Sequence, residues 1–315
     1  MSALVLHGLA PRHRPWQRTV VTVGVFDGVH IAHQRLISAT CQFARRKHAT
    51  SIVVTFDPDP QHVLHPSQAQ PVLMPLQARL RAMAALGVDV IWVIPFTKSF
   101  AQLSAQAFVE RILLGRLHAT AVVLGEGFVF GKNQQGTMDT LRALATRRQV
   151  EVIAIPHVRR ARAIISSSRI RTLITKGDLS RARTLLGRSP ELYGKVVKGR
   201  GRGQRLGFPT ANLRFTSQVL PPQGVYAVMV EQWPAHRRWK GVMNLGVRPT
   251  FGPGPCVGEV HLLRFHGQLL HQLLSVSLIT RLRPERCFPS IDALRQQIRH
   301  DITRATSTLR HVSAL

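Results

Sequence analysis

The sequence predicts an α/β unit built on a parallel sheet, followed by a small antiparallel β-barrel with one terminal helix. Two observations carry this. As far as Pro156, short β-branched runs alternate with stretches of helical spacing, separated by Gly and Pro. From Tyr193 onward, short strands follow one another between Gly and Pro, with no helix among them until the C-terminus. A boundary at Gly187 divides the 315 residues into 1–187 and 188–315, each long enough to bury a core.

In the first part, Val20 to Val23 reads as a buried strand and Gln34 to Lys47 as a helix. Ser51 to Phe56 is the second strand, stopped by Asp57-Pro58-Asp59-Pro60. Leu76 to Leu86 is a helix ending at Gly87, Val90 to Pro95 a third strand, and Ala105 to Leu117 the next helix. Ala121 to Gly125 and Glu151 to Pro156 make strands four and five, and Asp178 to Leu186 a closing helix before Gly187. Such alternation argues a Rossmann-like sheet, with ligands gathering at the strand ends. In the second part, strands are expected at Val196-Val197, Gly224 to Val230, Gly241 to Leu245, Val260 to Leu263 and Leu274 to Leu278, then a helix from Ile291 to Thr303.

The most informative stretch of the first part runs from Val20 to Leu36. Gly24 and Gly28 bracket a turn between strand and helix, an arrangement that aims backbone N–H groups and the positive helix end at a phosphate. His30 and His33, three apart, share one face of a first helical turn, where imidazoles suit charge building on a phosphoryl oxygen. Three other readings fit the same stretch: metal ligands together with Asp27, ordinary partly buried histidines, or a turn that only connects strand to helix.

Composition narrows the classes. No apolar run approaches a membrane span, and the start lacks a basic region followed by a long apolar core, so neither membrane insertion nor a signal peptide is expected. Cys41, Cys256 and Cys287 are far apart and in no metal spacing, which reads as reduced thiols of a cytoplasmic protein. Lys+Arg 43 against Asp+Glu 15 gives a net charge of +28, the sign of a nucleic-acid partner. The arginines are nevertheless spread along the chain, with modest clusters at Arg45-Arg46-Lys47 and Arg159-Arg160-Ala161-Arg162. Only 6% of residues are aromatic, which leaves few stacking platforms. This spread reads first as a compositional bias, and salt-sensitive, nonspecific nucleic-acid binding is the expectation that remains.

In the second part, Gly199-Arg200-Gly201-Arg202-Gly203 runs directly into Gly207-Phe208-Pro209-Thr210-Ala211-Asn212. The alternating Gly and Arg read as an RNA-binding segment or a flexible basic linker.

These motifs resemble those of the bacterial FAD synthetase family, in which an HxGH nucleotidylyltransferase is fused to a riboflavin kinase. The first stretch is similar to GxFDGxHxGHxxL, with Ala32 where the family has glycine. Gly125 to Gly136 is similar to GxDFxFGxxxxG, with Gly127 replacing a hydrogen-bonding side chain, and Ile165 to Arg171 to ISSTxIR, with Ser168 for Thr. Hydroxyls at such a position also serve as plain helix caps. The Gly-Phe-Pro-Thr-Ala-Asn run resembles the kinase signature, joined by Asn244 to Phe251, Glu259 to Leu263 and Leu282 to Phe288. The family's GDLYGK appears as Gly267 to Gln272 without its Asp, Tyr and second Gly.

The resemblance implies a bifunctional enzyme that phosphorylates riboflavin to FMN with ATP, then adenylylates FMN to FAD with release of pyrophosphate. It implies Mg²⁺ at Thr210 and Asn212, ATP as co-substrate, and Glu259 as the base that takes the riboflavin 5′-hydroxyl proton. For adenylylation it implies His30, His33 and Arg169 as catalytic groups. The nucleotide would lie against Gly24, Phe26, Asp27, Gly28, His30, His33, Gly125, Ser166, Ser167, Ser168 and Arg169. In the kinase part, Gly199, Gly201, Gly203, Pro209, Thr210 and Asn212 would line the nucleotide. Flavin would meet Phe56, Pro58, Phe128, Phe130 and Arg283. Two alternatives compete: a chain retaining one activity, given Ala32, Gly127 and Gln268 to His271, and a basic nucleic-acid-binding protein on this scaffold. The sequence does not indicate an oligomeric state.

Overall fold

The computed structural model describes residues 3–8, 16–160, 163–199, 201–247 and 256–312. Arg162, Arg200 and the Arg248 to Phe251 part of the kinase-like motif lie outside them. The chain forms two compact units: Met1–Pro71 with Pro75–Ser167, and Val72–Met74 with Ser168–Leu315.

The first unit contains a six-stranded parallel sheet: β1 (Leu4–His7), β2 (Thr19–Val23), β3 (Thr50–Asp57), β4 (Val90–Pro95), β5 (Ala119–Gly125) and β6 (Glu151–Ile155). Their order is β1-β4-β3-β2-β5-β6. Val20, Val21, Ile52, Val53, Val54 and Ile91 are fully buried, as expected of strands covered on both faces. The covering elements include α1 (Ile31–Arg46), α2 (Leu76–Ala84) and α3 (Met138–Thr146). Strand order reverses between β2 and β5, so a crevice opens at their carboxyl ends, where open α/β sheets hold ligands.

The helix expected from Ala105 to Leu117 starts as one helical turn, Ala105–Ala107, and continues as wider π turns over Phe108–Leu114. The N–H groups of Gly115 and Leu117 accordingly reach back five residues, to the carbonyls of Glu110 and Ile112. Phe108, Val109, Ile112 and Leu113 are the buried face.

Helix α4 (Ser167–Thr175), whose first residue is the last of the first unit, and α5 (Leu179–Leu186) precede the barrel. The Asp178 carboxylate accepts the Arg181 N–H at 3.0 Å at the start of α5, and Gly187, with φ of 77°, ends it in the left-handed conformation that a helix stop favours. The barrel strands are β7 (Glu191–Val197), β8 (Ala211–Phe215), β9 (Gly224–Trp233), β10 (Arg238–Val247), β11 (Cys256–Leu262) and β12 (Leu273–Arg283). They close in the order β8-β11-β10-β9-β12-β7, every neighbouring pair antiparallel. Closure leaves no strand edge unpaired. Leu213, Tyr226, Val228, Met243, Leu245, Val260 and Val276 fill the interior.

Two ties complete this unit. Helix α6 (Ile291–Thr308) is held to β12 by the Arg283 guanidinium, which donates from Nε and Nη2 to the buried Asp301 carboxylate at 2.8–3.1 Å. Val72, from far upstream, donates to the Ser217 carbonyl and accepts from the Val219 N–H, each at 2.9 Å, with Leu73 and Met74 buried beside it.

Candidate active sites

In the first unit, β2 ends in Gly24 and the chain turns sharply before α1. Phe26, Gly28 and Val29 all take positive φ, at 55°, 79° and 37°. The Phe26 ring lies over Gly24, where a Cβ would sit 3.0 Å from it, so glycine is what lets the turn fold back on the strand. His30 then caps α1: its Nδ1 accepts the His33 N–H at 3.4 Å. That acceptor role puts the proton of the neutral ring on Nε2. The His30 and His33 rings stack at 3.5 Å between centroids, and Phe26 meets His33 edge-on at 5.3 Å.

Burial, then the neighbouring His30, then Arg79 hold the His33 pKa well below 6.5, so His33 is neutral at neutral pH. Its Nδ1 is buried with no hydrogen-bond partner among the described residues. The sequence gives no reason to single out Arg79, on α2, yet it is 4% exposed and fixes this corner. Nη1 donates to the Val25 carbonyl at 2.8 Å and Nη2 to the Phe56 carbonyl at 2.9 Å, tying the turn after β2 to the end of β3. Burial lowers the Arg79 pKa, with Asp27, Asp57 and Asp59 acting in the opposite direction.

A cavity of about 310 Å³ opens here. It is lined by Gly24, Phe26, His30, Ala32 and His33 from the turn and α1, Gly125, Gly127 and Phe128 from the end of β5, and Ser166 and Ser167 before and at the start of α4. Ser167 Oγ also donates to the Asp27 carbonyl at 3.0 Å. Because α4 begins at Ser167, Ser168 lies within the first turn rather than at the cap. Asp27, Gly28, Ser168, Arg169, Phe56, Pro58 and Phe130 are not among the lining residues. Phe56 and Phe130 sit in the core, joined through Phe96, Phe100 and Phe108 by ring contacts of 5.6–6.5 Å, while Phe128 stacks on Phe130 at 5.8 Å and reaches the cavity. The metal reading of Asp27, His30 and His33 finds no support: among the described residues no three His, Cys, Asp or Glu side chains are placed to share an ion.

The second unit holds a larger cavity, about 990 Å³. Thr210 precedes β8 and Asn212 lies on it, in register with Glu259 of β11, which is in turn opposite Asn244 of β10. Gly199, Gly201, Gly203, Pro209, Thr210, Asn212 and Glu259 all line the cavity. A Cβ on Gly199 would fall 2.1 Å from the Asn212 Nδ2, and one on Gly203 would fall 2.5 Å from the Phe208 carbonyl and 2.9 Å from Thr210 Oγ1. The glycines thus bring bare backbone against the two oxygen-bearing side chains, a cradle that fits a phosphate-bound magnesium. Lys198, Gln204 and His266 also line it, and the sequence marks them only by their nearness to the motifs. Gln268, Leu269 and Leu270, from the segment that departs from GDLYGK, form part of the wall. Arg283 does not line it; its guanidinium is engaged by Asp301 and the Pro284 carbonyl.

A family model described as FAD synthetase matches residues 12–169, and one described as riboflavin kinase matches residues 186–309. Among curated proteins, the chain is 36% identical to a bifunctional riboflavin kinase/FMN adenylyltransferase of Bacillus subtilis, covering 90% of each. It is 37% identical to one from Listeria monocytogenes, again over 90% of each, and 32% identical to one from Escherichia coli, over 94% of each. Among solved structures, one described as a macrolide-efflux protein from Streptococcus pneumoniae matches with a TM-score of 0.84 and 29% identity, over 96% of this chain and 98% of that one. No helix among the described residues is long and apolar enough to cross a membrane.

Proposed function

Because this chain belongs to the family of bifunctional riboflavin kinases/FMN adenylyltransferases, we propose that it makes both flavin nucleotides in sequence. It transfers the γ-phosphoryl group of ATP to riboflavin, giving FMN and ADP, then joins the adenylyl group of a second ATP to FMN, giving FAD and pyrophosphate. The carrying observation is a pair of cavities, one per unit, the first flanked by stacked imidazoles and the second by Thr210, Asn212 and Glu259 under a glycine loop.

In this reading residues 1–187 serve adenylylation and 188–315 serve phosphorylation. Glu259 accepts the riboflavin 5′-hydroxyl proton as that oxygen attacks the γ-phosphorus. Gly199, Gly201, Gly203 and Pro209 admit the triphosphate, and Thr210 and Asn212 would hold Mg²⁺, which would neutralise phosphate charge. In adenylylation, an FMN phosphate oxygen attacks the α-phosphorus of ATP and pyrophosphate leaves. His30, His33 and Arg169 donate to the phosphoryl oxygens, with Gly24, Phe26, Asp27, Gly28, Gly125 and Ser166 to Ser168 shaping the nucleotide site. Phe128 meets the flavin, supported by Phe56, Pro58 and Phe130, while Arg283 supports the barrel side through Asp301. We place the protein in the cytoplasm, on the support of three cysteines that are all free.

The test supplies riboflavin or FMN separately with magnesium-ATP and follows FMN and FAD by chromatography. Asn212→Ala is expected to abolish FMN formation. His30→Ala is expected to leave it intact and lower FAD formation about 100-fold. The reverse pattern would refute the assignment of activities to units.

A further inference from the structure

His157 follows β6 between Pro156 and Val158, and although exposed to solvent it also lines the cavity of the first unit. A Cβ on Gly127 would come within 3.2 Å of its Cε1 and 3.3 Å of its Nε2, so the imidazole lies over the space that Gly127 leaves open. The His157 N–H donates to the Glu126 carboxylate at 3.3 Å, which fixes where the ring departs from the chain.

The two sides of this cavity differ chemically. His30 and His33 with Ser166 and Ser167 make a polar side at the starts of two helices. The ends of β5 and β6 supply Gly125, Gly127, Phe128, Ile155 and Pro156, a wall whose one polar side chain is His157. A nucleotide is divided the same way, into phosphates that want donors and a flat base on a hydroxylated sugar. An imidazole that donates from one nitrogen and accepts at the other matches a sugar hydroxyl or a base nitrogen. We propose that His157 is a nucleotide-binding residue of this cavity, holding the nucleoside half of ATP while the phosphates lie toward His30 and His33. The proposal rests on the adenylyl-transfer reading and adds to it the residue that grips the part of ATP away from the chemistry.

The experiment is steady-state FAD formation by the full chain from FMN and ATP, with thermal melting to confirm that each variant is folded. His157→Ala is expected to raise the KM for ATP about 5- to 20-fold, with kcat and the KM for FMN within twofold of wild type. His157→Asn, which keeps a donor and an acceptor, is expected to recover most of the loss. Gly127→Val, which pushes the ring aside without altering it, is expected to reproduce part of it. If the imidazole holds the sugar, His157→Ala costs nothing further with 2′- or 3′-deoxy-ATP. If it holds the 6-amino and N1 edge of the base, the substitution costs nothing further with inosine triphosphate. An unchanged KM for ATP, a loss confined to kcat, or the same loss with all three analogues would overturn the proposal. A wild-type chain that makes no FAD would instead overturn adenylyl transfer. Calorimetric titration of ATP with and without His157→Ala, in an Asn212→Ala background that leaves one nucleotide site, would then still decide the role of His157.

Discussion

Keeping His33 uncharged inside a cavity it shares with His30 carries a thermodynamic cost that acid exposes. Its pKa in the folded protein lies well below the 6.5 of a free histidine, so between those values the unfolded chain binds a proton that the folded chain does not. Stability from this group is therefore complete above pH 6.5 and falls as pH drops below it. We expect the thermal midpoint to decline between about pH 7 and pH 5, and to decline less in His33→Asn, which has no proton to gain. An identical slope in both proteins would show that His33 is not the buried neutral group. The pair His30 and His33 was legible because three-residue spacing at a helix start is a local property. Arg79 and His157 were not: one is an arginine in an ordinary amphipathic helix and the other a histidine in a loop. Each takes its meaning from contacts made across the unit, with Val25 and Phe56 in one case and Gly127 in the other.

Between elements, Arg283 and Asp301 tie α6 to β12. Both side chains are largely buried, at 14% and 3% exposure, and Gln297 donates to the same carboxylate at 2.8 Å. Removing one partner of such a pair strands the other charge, so Asp301→Ala is expected to lower stability by about 3 kcal/mol in denaturant unfolding. A change below about 1 kcal/mol would mean that α6 is held by its apolar contacts, through Ala305 and Leu309, instead. Sequence patterns located the central strands because full burial on both faces leaves an uninterrupted β-branched run, as in Ile52 to Thr55. Leu4–His7, an edge strand with three of its four residues exposed, carries no such run and was missed. Ala211–Phe215 was missed for another reason: Pro209 and the small residues around it read as a loop, and only pairing with β7 and β11 makes it a strand. The π turns at Phe108–Leu114 were likewise beyond reach, since apolar spacing over two turns does not separate a wide helix from a regular one.

For the whole molecule the dominant number is the net charge of +28. A field of that sign attracts polyphosphates of every kind, and the substrates proposed here are all anions except riboflavin. The same field draws nucleic acid without reading its sequence. Fluorescence anisotropy with mixed-sequence DNA is expected to show binding at about 50 mM salt that is lost by about 200 mM, as counterion release requires. Retention at the higher salt with preference for one sequence would favour a dedicated nucleic-acid role.

The segment Val72–Met74 has a different bearing. Three residues from the early part of the chain belong to the later unit, Val72 by its hydrogen bonds and Leu73 and Met74 by burial, so the two units share three junctions along the polypeptide rather than one. A gene split at any single codon would leave one half carrying a piece of the other. Two free-standing enzymes could be made from this chain only by rebuilding that piece, and the fusion is in that sense written into the wiring of the backbone.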